Sequence, residues 1–314
     1  MDYITYGSGA DMNNPKIVNE FSIITYNIKA IYDKEEEQMD SLIKHVDEES
    51  YDFVIFQELF DESMRDYIIE NSDTSIYSTV ISRVDYLSFP EFIFQDAGLF
   101  IMSKYPRIDL SDIEFDDSTN TSNGVIHMIL DKEISRTNDF LANKSVMGVL
   151  FELDDLTNLF LFTTHVQALG DLDHKLYQFT EIYNFVNNAV DSVLTSGIAG
   201  SPENLIVILA GDFNSDAYDP SRLTSMMDRL GHPRDLYREV NGDKREATWR
   251  FRSGRSGRRF DYILAYDKLG DYKFRRIHAK SVNALDITDS KGESISDHKA
   301  LTGILELDQN PVSR

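Results

Sequence analysis

The chain contains no cysteine among its 314 residues. This absence excludes disulfide bonds, zinc–thiolate sites and catalytic thiols, but it does not fix the cellular compartment. Residues 1–19 are polar and show no apolar core followed by a cleavage site, so no signal peptide is visible. No apolar run approaches the roughly 20 residues of a membrane-spanning helix. We expect a secreted protein whose signal has been removed in preference to a cytoplasmic one.

Basic residues are scarce. Lysine and arginine total 31 against 54 aspartate and glutamate residues, which gives a formal net charge of −23. Such a charge disfavours unaided binding to polyanions and to anionic membranes. The same charge is also typical of an acidic surface that only keeps a protein in solution. We therefore expect no nucleic-acid partner, and we expect a monomer.

The chain also lacks a linker rich in glycine, serine or proline, an internal repeat and a low-complexity segment. Its length fits one large domain or two small ones, and the polar motifs described below occur in both halves. We predict one catalytic domain over residues 21–308, preceded by an extension at 1–20 and followed by a tail at 309–314.

Apolar periodicity predicts strands alternating with helices. Apolar residues recur at threes and fours in two amphipathic helices, at 34–50 and 173–196, and a shorter helix is predicted at 61–71. Apolar runs predict strands at 21–27, 53–58, 98–104, 146–153, 159–164, 205–210, 260–266, 276–284 and 299–307. This pattern is typical of an α/β protein with two facing sheets and outer helices, although periodicity alone leaves other α/β folds open.

Polar residues follow apolar strands at several distant points of the chain. The motifs are Asn27, Gln57-Glu58, Thr164-His165, Gly211-Asp212-Phe213-Asn214 and Ser296-Asp297-His298. An unpaired carboxylate is costly to bury, so its repeated placement at strand ends indicates convergence on a shared cation.

These motifs, in this order from Thr25 to His298, resemble those of the endonuclease/exonuclease/phosphatase superfamily, which has the deoxyribonuclease I-like fold. The stretches 56–61, 95–106 and 164–168 are most similar to neutral, bacterial-type sphingomyelinases. The resemblance implies a four-layer α/β/β/α sandwich of two packed, mainly antiparallel mixed sheets. It also implies metal-dependent hydrolysis of a phosphodiester.

The candidate metal ligands are Glu58, Asn27 and Asp297. The resemblance assigns Glu58 and Asn27 to the metal and makes Asp297 a further metal or water ligand. Magnesium prefers carboxylate and amide oxygens and keeps several waters, so Mg²⁺ is the expected cofactor, with Mn²⁺ or Co²⁺ as substitutes. The alternative for Glu58 is an N-capping role ahead of the helix at 61–71.

Asp212 and Asn214 lie two residues apart, with Phe213 between them. If the chain stays extended, both polar side chains face the same side of the strand. They could then hold a water in line with a phosphorus atom while the amide binds a phosphoryl oxygen. The alternative is an Asx-type turn that only ends the strand.

His165 and His298 are candidates for proton transfer, because histidine titrates near neutrality but needs an acceptor on its second ring nitrogen. The family pattern makes Asp261 the partner of the general base His298, and we expect Asp96 to be the partner of His165. The remaining five histidines have no comparable motif and are expected to be surface or core residues: His45, His127, His174, His232 and His278.

Residues 244–259 contain seven of the chain's lysines and arginines. Arginine clamps phosphate oxygens bidentately, so Arg255, Arg258 and Arg259 are candidate phosphate ligands beside Asp261. The equally weighted alternative is a solvated hairpin whose arginines neutralise nearby acidic side chains.

Two features depart from membrane-lytic sphingomyelinases. Arginines occupy the interval where those relatives carry an aromatic-tipped hairpin, and Met147-Gly148 stands where Lys-Gly is usual, with Lys144 three residues earlier. The aromatics of residues 88–94 could contact a lipid surface transiently, although packing in the core is the favoured interpretation.

Together, these motifs predict a Mg²⁺-dependent phosphodiesterase that hydrolyses a phospholipid headgroup. Sphingomyelin is the most expected substrate, and its products would be ceramide and phosphocholine. Two alternatives stay open at this point: a metal-dependent nuclease acting on DNA or RNA, and a catalytically silent binding protein on the same fold.

Overall fold

Strands and helices alternate along most of the chain. The structure, a computed structural model, describes residues 17–30, 36–73, 75–85, 96–131, 142–250 and 257–308. The helices are α1 (Glu36–Glu49), α2 (Glu62–Asn71), α3 (Leu172–Thr195), α4 (Pro220–Arg229) and α5 (Leu236–Asn241). The strands are β1 (Glu20–Ala30), β2 (Phe53–Leu59), β3 (Thr79–Ile81), β4 (Phe100–Ser103), β5 (Asn120–Ser122), β6 (Val125–Ile129), β7 (Ser145–Asp154), β8 (Thr157–His165), β9 (Leu205–Asp212), β10 (Arg234–Asp235), β11 (Asp261–Tyr266), β12 (Lys268–Leu269), β13 (Tyr272–Lys273), β14 (Ile277–Leu285) and β15 (Ala300–Leu307).

The predicted strands and helices are confirmed, with ends that differ by a few residues. Helices α4 and α5 and six short strands were not predicted: β3, β5, β6, β10, β12 and β13. These strands have five residues or fewer. Strands this short contain too few apolar residues to show the alternation that identifies a strand in a sequence.

Two large mixed sheets form the frame. The first has the strand order β14-β15-β1-β2-β4-β3, and the second has the order β10-β11-β9-β8-β7-β6-β5. Among the described strands of these sheets, β1 with β2 and β8 with β9 are the parallel neighbours, and the other pairs are antiparallel. The predicted architecture of mainly antiparallel mixed sheets is confirmed.

Three layers of apolar side chains give the order of the sheets and helices. The layer between the two sheets includes Ile23 and Ile55 from the first and Leu161 and Ile208 from the second. A second layer packs α1 and α2 on the outer face of the first sheet, through residues such as Met39, Leu42 and Ile68. A third packs α3 and α4 on the outer face of the second, through residues such as Phe179, Val186 and Met226. The result is the predicted four-layer α/β/β/α sandwich.

The two parallel pairs bring polar strand ends together. Asn27 lies opposite Gln57 in the first sheet, and Asp212 lies opposite both His165 and Asp261 in the second. Just beneath these ends, the buried Gln57 amide donates to Thr25 Oγ1 at 3.0 Å and to Thr163 Oγ1 of the facing sheet at 3.4 Å. This polar contact joins the sheets where the candidate site begins.

Some predictions fall outside the described residues. The aromatic stretch 88–94, Arg255, residues 1–16 and the tail at 309–314 belong to this part of the chain. The division into extension, domain and tail therefore stays a prediction. Within the described ranges, every helix is too short or too polar to span a membrane.

Candidate active site

Polar side chains from both sheets meet at one edge of the sandwich. Within the described ranges, the ligand atoms of Glu58, His165 and Asp212 all lie within 4.8 Å of one another, as do those of Asp212, Asp261 and His298. Asp212 belongs to both groups, so it joins them into one cluster. Six of the nine predicted catalytic and metal-binding residues make up the cluster: Asn27, Glu58, His165, Asp212, Asp261 and His298.

The carboxylates of Glu58 and Asp212 flank the amide of Asn27. Asn27 Nδ2 donates to Glu58 Oε1 at 2.8 Å and to Asp212 Oδ2 at 2.9 Å. Asn27 and Asp212 are buried, whereas the Glu58 side chain keeps 19% of its surface exposed. Burial raises the pKa of Asp212 to about 7, and the charge of His298 and the hydrogen bond from Asn27 only partly offset this effect.

The backbone is strained at this edge. Glu58, Lys29 and Asn214 have φ angles of 54°, 52° and 48°, in the left-handed region that residues other than glycine seldom adopt. The β1–β2 register also shifts between Asn27 and Ala30, as at a β-bulge. Strain of this kind costs free energy and concentrates at functional sites. It turns side chains that would otherwise alternate across a strand toward one point.

His298 is tightly paired. Its Nδ1 lies 2.9 Å from Asp261 Oδ2, and its Nε2 lies 3.7 Å from Asp212 Oδ2. Burial by itself would lower the pKa of His298, but the charges of Asp261 and Asp212 outweigh burial and raise it to about 10. The predicted contact between His298 and Asp261 is confirmed.

His165 has the opposite environment. Its Nε2 lies 3.4 Å from Glu58 Oε1 and 3.9 Å from Asp212 Oδ2. Neither ring nitrogen has a hydrogen-bond partner within the described part of the chain. Burial, followed by the charges of Lys144 and His298, holds the pKa of His165 well below its usual value. The lowered pKa favours the neutral ring, and both ring nitrogens lie buried beside the carboxylates of Glu58 and Asp212.

The predicted partnership between Asp96 and His165 is wrong. Asp96 is buried, and its Oδ2 accepts from Arg65 Nη1 at 2.6 Å and lies 2.9 Å from Arg83 Nε. A buried carboxylate gains more from permanently charged, forked guanidinium groups than from an imidazole that burial keeps neutral.

The Asp212–Asn214 segment is a turn rather than an extended strand. Asp212 Oδ1 accepts from the backbone N–H of Asn214 at 2.9 Å, as in an Asx turn, and Phe213 packs into the core. Asn214 Nδ2 donates to Val166 O at 2.9 Å and lies 3.4 Å from Asp212 Oδ2. The turn therefore keeps the two polar side chains together at the site by a different geometry from the one expected.

Lys175 supports this turn and was missed by sequence reasoning. It lies on the buried face of α3, where its Nζ donates to Ala168 O at 2.7 Å and to Asn214 O at 3.1 Å. A lysine among the apolar positions of an amphipathic helix was the signal that could have drawn attention to it.

Two of the described arginines of this segment, Arg250 and Arg259, neutralise acidic side chains, as the alternative to phosphate binding predicts. Arg259 is fully buried, forms an ion pair with Asp235 and lies over the rings of Tyr237 and Tyr262 at 4.8 and 4.5 Å. It is therefore not a phosphate ligand, and that prediction is wrong. Arg250 Nη2 pairs with Asp286 at 2.5 Å. Arg258 is the candidate phosphate ligand that reaches the site.

A cleft of about 370 Å³ opens onto the cluster. Asp297 lines it, with Oδ2 2.5 Å from Lys29 Nζ, so this predicted metal or water ligand has a lysine as its present partner. Lys29 and Trp249, the single tryptophan of the chain, also line the cleft, and neither was singled out from the sequence. The other lining residues are Glu58, Ala168, Leu169, Gly170, Lys175, Asp212, Asn214, Arg222, Arg258, Phe260 and His298.

The donor set fits a hard divalent cation. Glu58 and Asp212 offer carboxylate oxygens, and burial makes the charge of Asp212 costly unless a cation compensates it. The amide of Asn27 now directs Nδ2 at these carboxylates. A half-turn of the amide exchanges Oδ1 for Nδ2, and amide orientation is assigned from hydrogen bonds. Asn27 Oδ1 now accepts from the backbone N–H of Lys29 at 3.2 Å, so binding a cation through this oxygen exchanges that bond for the metal contact.

Several solved structures have the same fold. Beta toxin from Staphylococcus aureus, as a mutant with bound magnesium ions, is 18% identical with a TM-score of 0.63 and covers 90% of this chain and 99% of its own. Sphingomyelinase C from Streptomyces griseocarneus is 16% identical with a TM-score of 0.61, covering 91% and 99%. D. rerio TDP2 complexed with a single-strand DNA product is 16% identical with a TM-score of 0.56, covering 91% and 99%. At these identities the likeness establishes the fold alone.

The sequence itself matches one family. No curated protein matches the chain, whereas the sequence profile of the endonuclease/exonuclease/phosphatase family matches residues 24–298. Members of this family are metal-dependent hydrolases, in agreement with the donor set at the cleft. The match covers most of the 314 residues and includes every residue of the cluster. The chain therefore belongs to the endonuclease/exonuclease/phosphatase family.

Proposed function

We propose that the protein is a Mg²⁺-dependent phosphodiesterase whose preferred substrate is a choline phospholipid, with sphingomyelin first. One observation carries the hydrolase assignment: His165 and His298 lie on either side of the shared carboxylate of Asp212, with Glu58 beside His165 and Asp261 beside His298. A silent binding protein would have no need of two buried histidines held in opposite protonation states around shared acids.

Glu58 and Asn27 would hold the Mg²⁺, with Asp212 close enough to share it. When bound, the ion supplies positive charge that polarises a phosphoryl oxygen and offsets the charge developing on the leaving oxygen. Asp297 is held by Lys29 and contributes to the cleft wall. We assign it to orienting water or metal-bound water.

His298 acts as the general base, and Asp261 fixes its orientation through Nδ1. Its Nε2 then faces the cleft beside Asp212, where it takes the proton of the attacking water. Asp212 and Asn214 hold that water. The base must be neutral to accept a proton, and the positive charge that a bound cation places near Asp212 favours the neutral form.

His165 binds the phosphate. A neutral imidazole carries one N–H donor and one acceptor nitrogen, and both are without a partner within the described ranges. We assign the N–H to a non-bridging phosphoryl oxygen, where it stabilises charge that grows in the transition state. Asp96 takes no part in this step, since Arg65 and Arg83 engage it.

The lipid substrate is supported by charge and by fold. An acidic protein repels a polyanion but tolerates a zwitterionic headgroup, and Trp249 in the cleft wall offers an aromatic face to a quaternary ammonium. Beta toxin and sphingomyelinase C share the fold over nearly all of their own length.

A nuclease is the second candidate, because four cationic side chains line the cleft in spite of the acidic surface: Lys29, Lys175, Arg222 and Arg258. The fold of TDP2, solved with a single-strand DNA product, agrees with it equally well. Cationic side chains along a cleft could follow the phosphates of a polynucleotide.

Parallel assays with Mg²⁺ on sphingomyelin vesicles, phosphatidylcholine vesicles and plasmid DNA separate these functions. We expect release of phosphocholine from sphingomyelin, faster from detergent-dispersed lipid than from intact bilayers. Plasmid nicking without phosphocholine release would reject the lipid substrate and establish the nuclease. Glu58→Gln serves as the control in each assay, because a contaminating hydrolase would be unaffected by it.

A further inference from the structure

The turn that carries Glu58 is held by hydrogen bonds that none of the proposed catalytic steps uses. Glu58 adopts a φ of 54°, although it has a full side chain. A non-glycine residue stays in this region only when its surroundings over-determine it. Because this φ angle aims the carboxylate at the proposed metal position, whatever fixes the turn also fixes a metal ligand.

Arg65 of α2 reaches the backbone of this turn. Its Nε donates to the carbonyl oxygen of Leu59, the residue after Glu58, at 2.6 Å. The other end of the guanidinium donates to Asp96 Oδ2 at 2.6 Å through Nη1, and also contacts Asp96 Oδ1 through Nη2. With only 2% of its surface exposed, Arg65 makes these contacts inside the protein, where solvent screens them little.

Asp96 connects Arg65 to the other side of the turn through Gly98. Its Oδ1 accepts from the backbone N–H of Gly98 at 2.8 Å, and the carbonyl of Gly98 accepts from the N–H of Leu59 at 3.0 Å. Both backbone polar groups of Leu59 are therefore held, one by Arg65 directly and one through Asp96 and Gly98.

Glycine at position 98 allows this close approach. Its φ is 64°, and a Cβ there would lie 2.8 Å from the ring of Phe60 and 3.1 Å from the Cα of Glu58. The backbone at Gly98 and the backbone at Glu58 are therefore in close contact, so a shift of one moves the other.

We infer that Arg65 and Asp96 are positioning residues for the metal ligand Glu58, and that they set the affinity of the site for its divalent cation. This inference rests on the proposed function, because it needs Glu58 to bind the cation. Supporting groups of this kind typically change metal affinity by about 10- to 100-fold when they are removed. Chemistry at saturating metal depends on them much less, since bound cation itself restrains the carboxylate.

Arg65→Lys is the sharpest test. Lysine keeps the positive charge but cannot bond Leu59 O and both oxygens of Asp96 in one plane. We expect the Kd for Mg²⁺, measured by titration calorimetry without substrate, to rise about tenfold. At saturating Mg²⁺, kcat should fall by no more than about threefold, a split that general destabilisation would not produce.

Two controls isolate the contact to Leu59. Arg83→Gln removes a second guanidinium from the same carboxylate, because Arg83 Nε lies 2.9 Å from Asp96 Oδ2, and it should leave the Kd within about twofold. Arg259→Lys alters another buried pair, with Asp235, and should lower Tm without weakening Mg²⁺ binding.

The outcomes separate the inference from the function on which it rests. Wild type that binds no Mg²⁺ or Mn²⁺ would reject the proposed metal site and the inference with it. Wild type that binds Mg²⁺, with a folded Arg65→Lys variant of unchanged Kd, would reject the inference alone. Should Arg65→Lys fail to fold, Asp96→Asn replaces it, since asparagine keeps an acceptor for Gly98 N–H. Should both variants fail to fold, hydrogen exchange of the wild-type Leu59 amide is measured instead. Exchange as fast as in an exposed loop would contradict the proposal that hydrogen bonds hold both backbone groups of Leu59.

Discussion

His165 and His298 lie on either side of Asp212, yet their surroundings are opposite. His298 bonds to Asp261 and faces Asp212, so the pKa of its imidazole is raised to about 10. His165 is equally buried and lies 3.4 Å from Glu58, but neither ring nitrogen forms a hydrogen bond within the described ranges. Burial, and then the charges of Lys144 and His298, lower its pKa. Each ring has two carboxylates within 4 Å, so the difference lies in the 2.9 Å hydrogen bond between His298 Nδ1 and Asp261, which has no counterpart at His165 among the described residues. One site thus holds a protonated imidazole and a neutral one side by side.

Removing the paired histidine should have the largest effect. His298→Ala deletes the base, so kcat should fall by about 10³-fold, within the usual range for a positioned acid–base group. Initial rates at saturating Mg²⁺ measure this loss. His232→Ala is the matched control, because His232 is largely exposed and pairs with Asp228 at the surface. A His298→Ala enzyme with near-wild-type turnover at every pH would remove His298 from the mechanism.

Removing the unpartnered histidine should cost somewhat less. His165→Ala deletes one donor to the phosphate, for which about 10²-fold in kcat is typical. His165→Gln retains an N–H donor at the cleft and should recover part of the loss, which acid–base catalysis by His165 would not allow. Equal losses for the two variants would favour a proton-transfer role.

Asp261→Asn should reduce the difference between the pKa values of the two histidines. It removes a charge that raises the pKa of His298 and disturbs the orientation of the ring. We expect kcat to fall by about tenfold and the NMR-measured pKa of His298 in the metal-free protein to decrease. The pKa of His165 should rise slightly, because the charge of His298 helps to lower it. A His298 pKa that did not move would show that Asp212 alone sets it.

The pH dependence of stability should show the smallest effect. The pKa of His298 is about 10 in the folded protein and about 6.5 in an unfolded chain. Its stabilising contribution is therefore complete below about pH 6.5 and is lost as the pH rises toward the folded value. In chelator, wild-type Tm should decline more steeply above neutrality than that of His298→Ala. Parallel curves would contradict the raised pKa.

The sequence predicted the strand ends well because a strand's direction fixes where its last residue lies. Asn27, Glu58, His165 and Asp212 follow apolar runs, and those runs form parallel pairs whose ends meet. The His298–Asp261 contact was also predicted, from the resemblance to a family pattern, and the structure confirms it.

Partner choice among buried charges could not be predicted in the same way. Asp96 was assigned to His165 and Arg259 to phosphate, but Arg65 from α2 and Asp235 from β10 are their partners. Each pair depends on how a helix or a strand end packs against the sheet, which local periodicity does not specify. The left-handed turns at Glu58 and Asn214 were missed for a related reason: no glycine marks them.

The central claim is that these side chains hydrolyse a phosphodiester with a divalent cation. Turnover of bis(p-nitrophenyl) phosphate by purified wild type, with Mg²⁺ and then with excess EDTA, tests it without assuming a natural substrate. We predict hydrolysis that chelation abolishes, that Mg²⁺ restores, and that both Glu58→Gln and His298→Ala lack. Full turnover in excess EDTA, or turnover that both variants retain, would contradict the account.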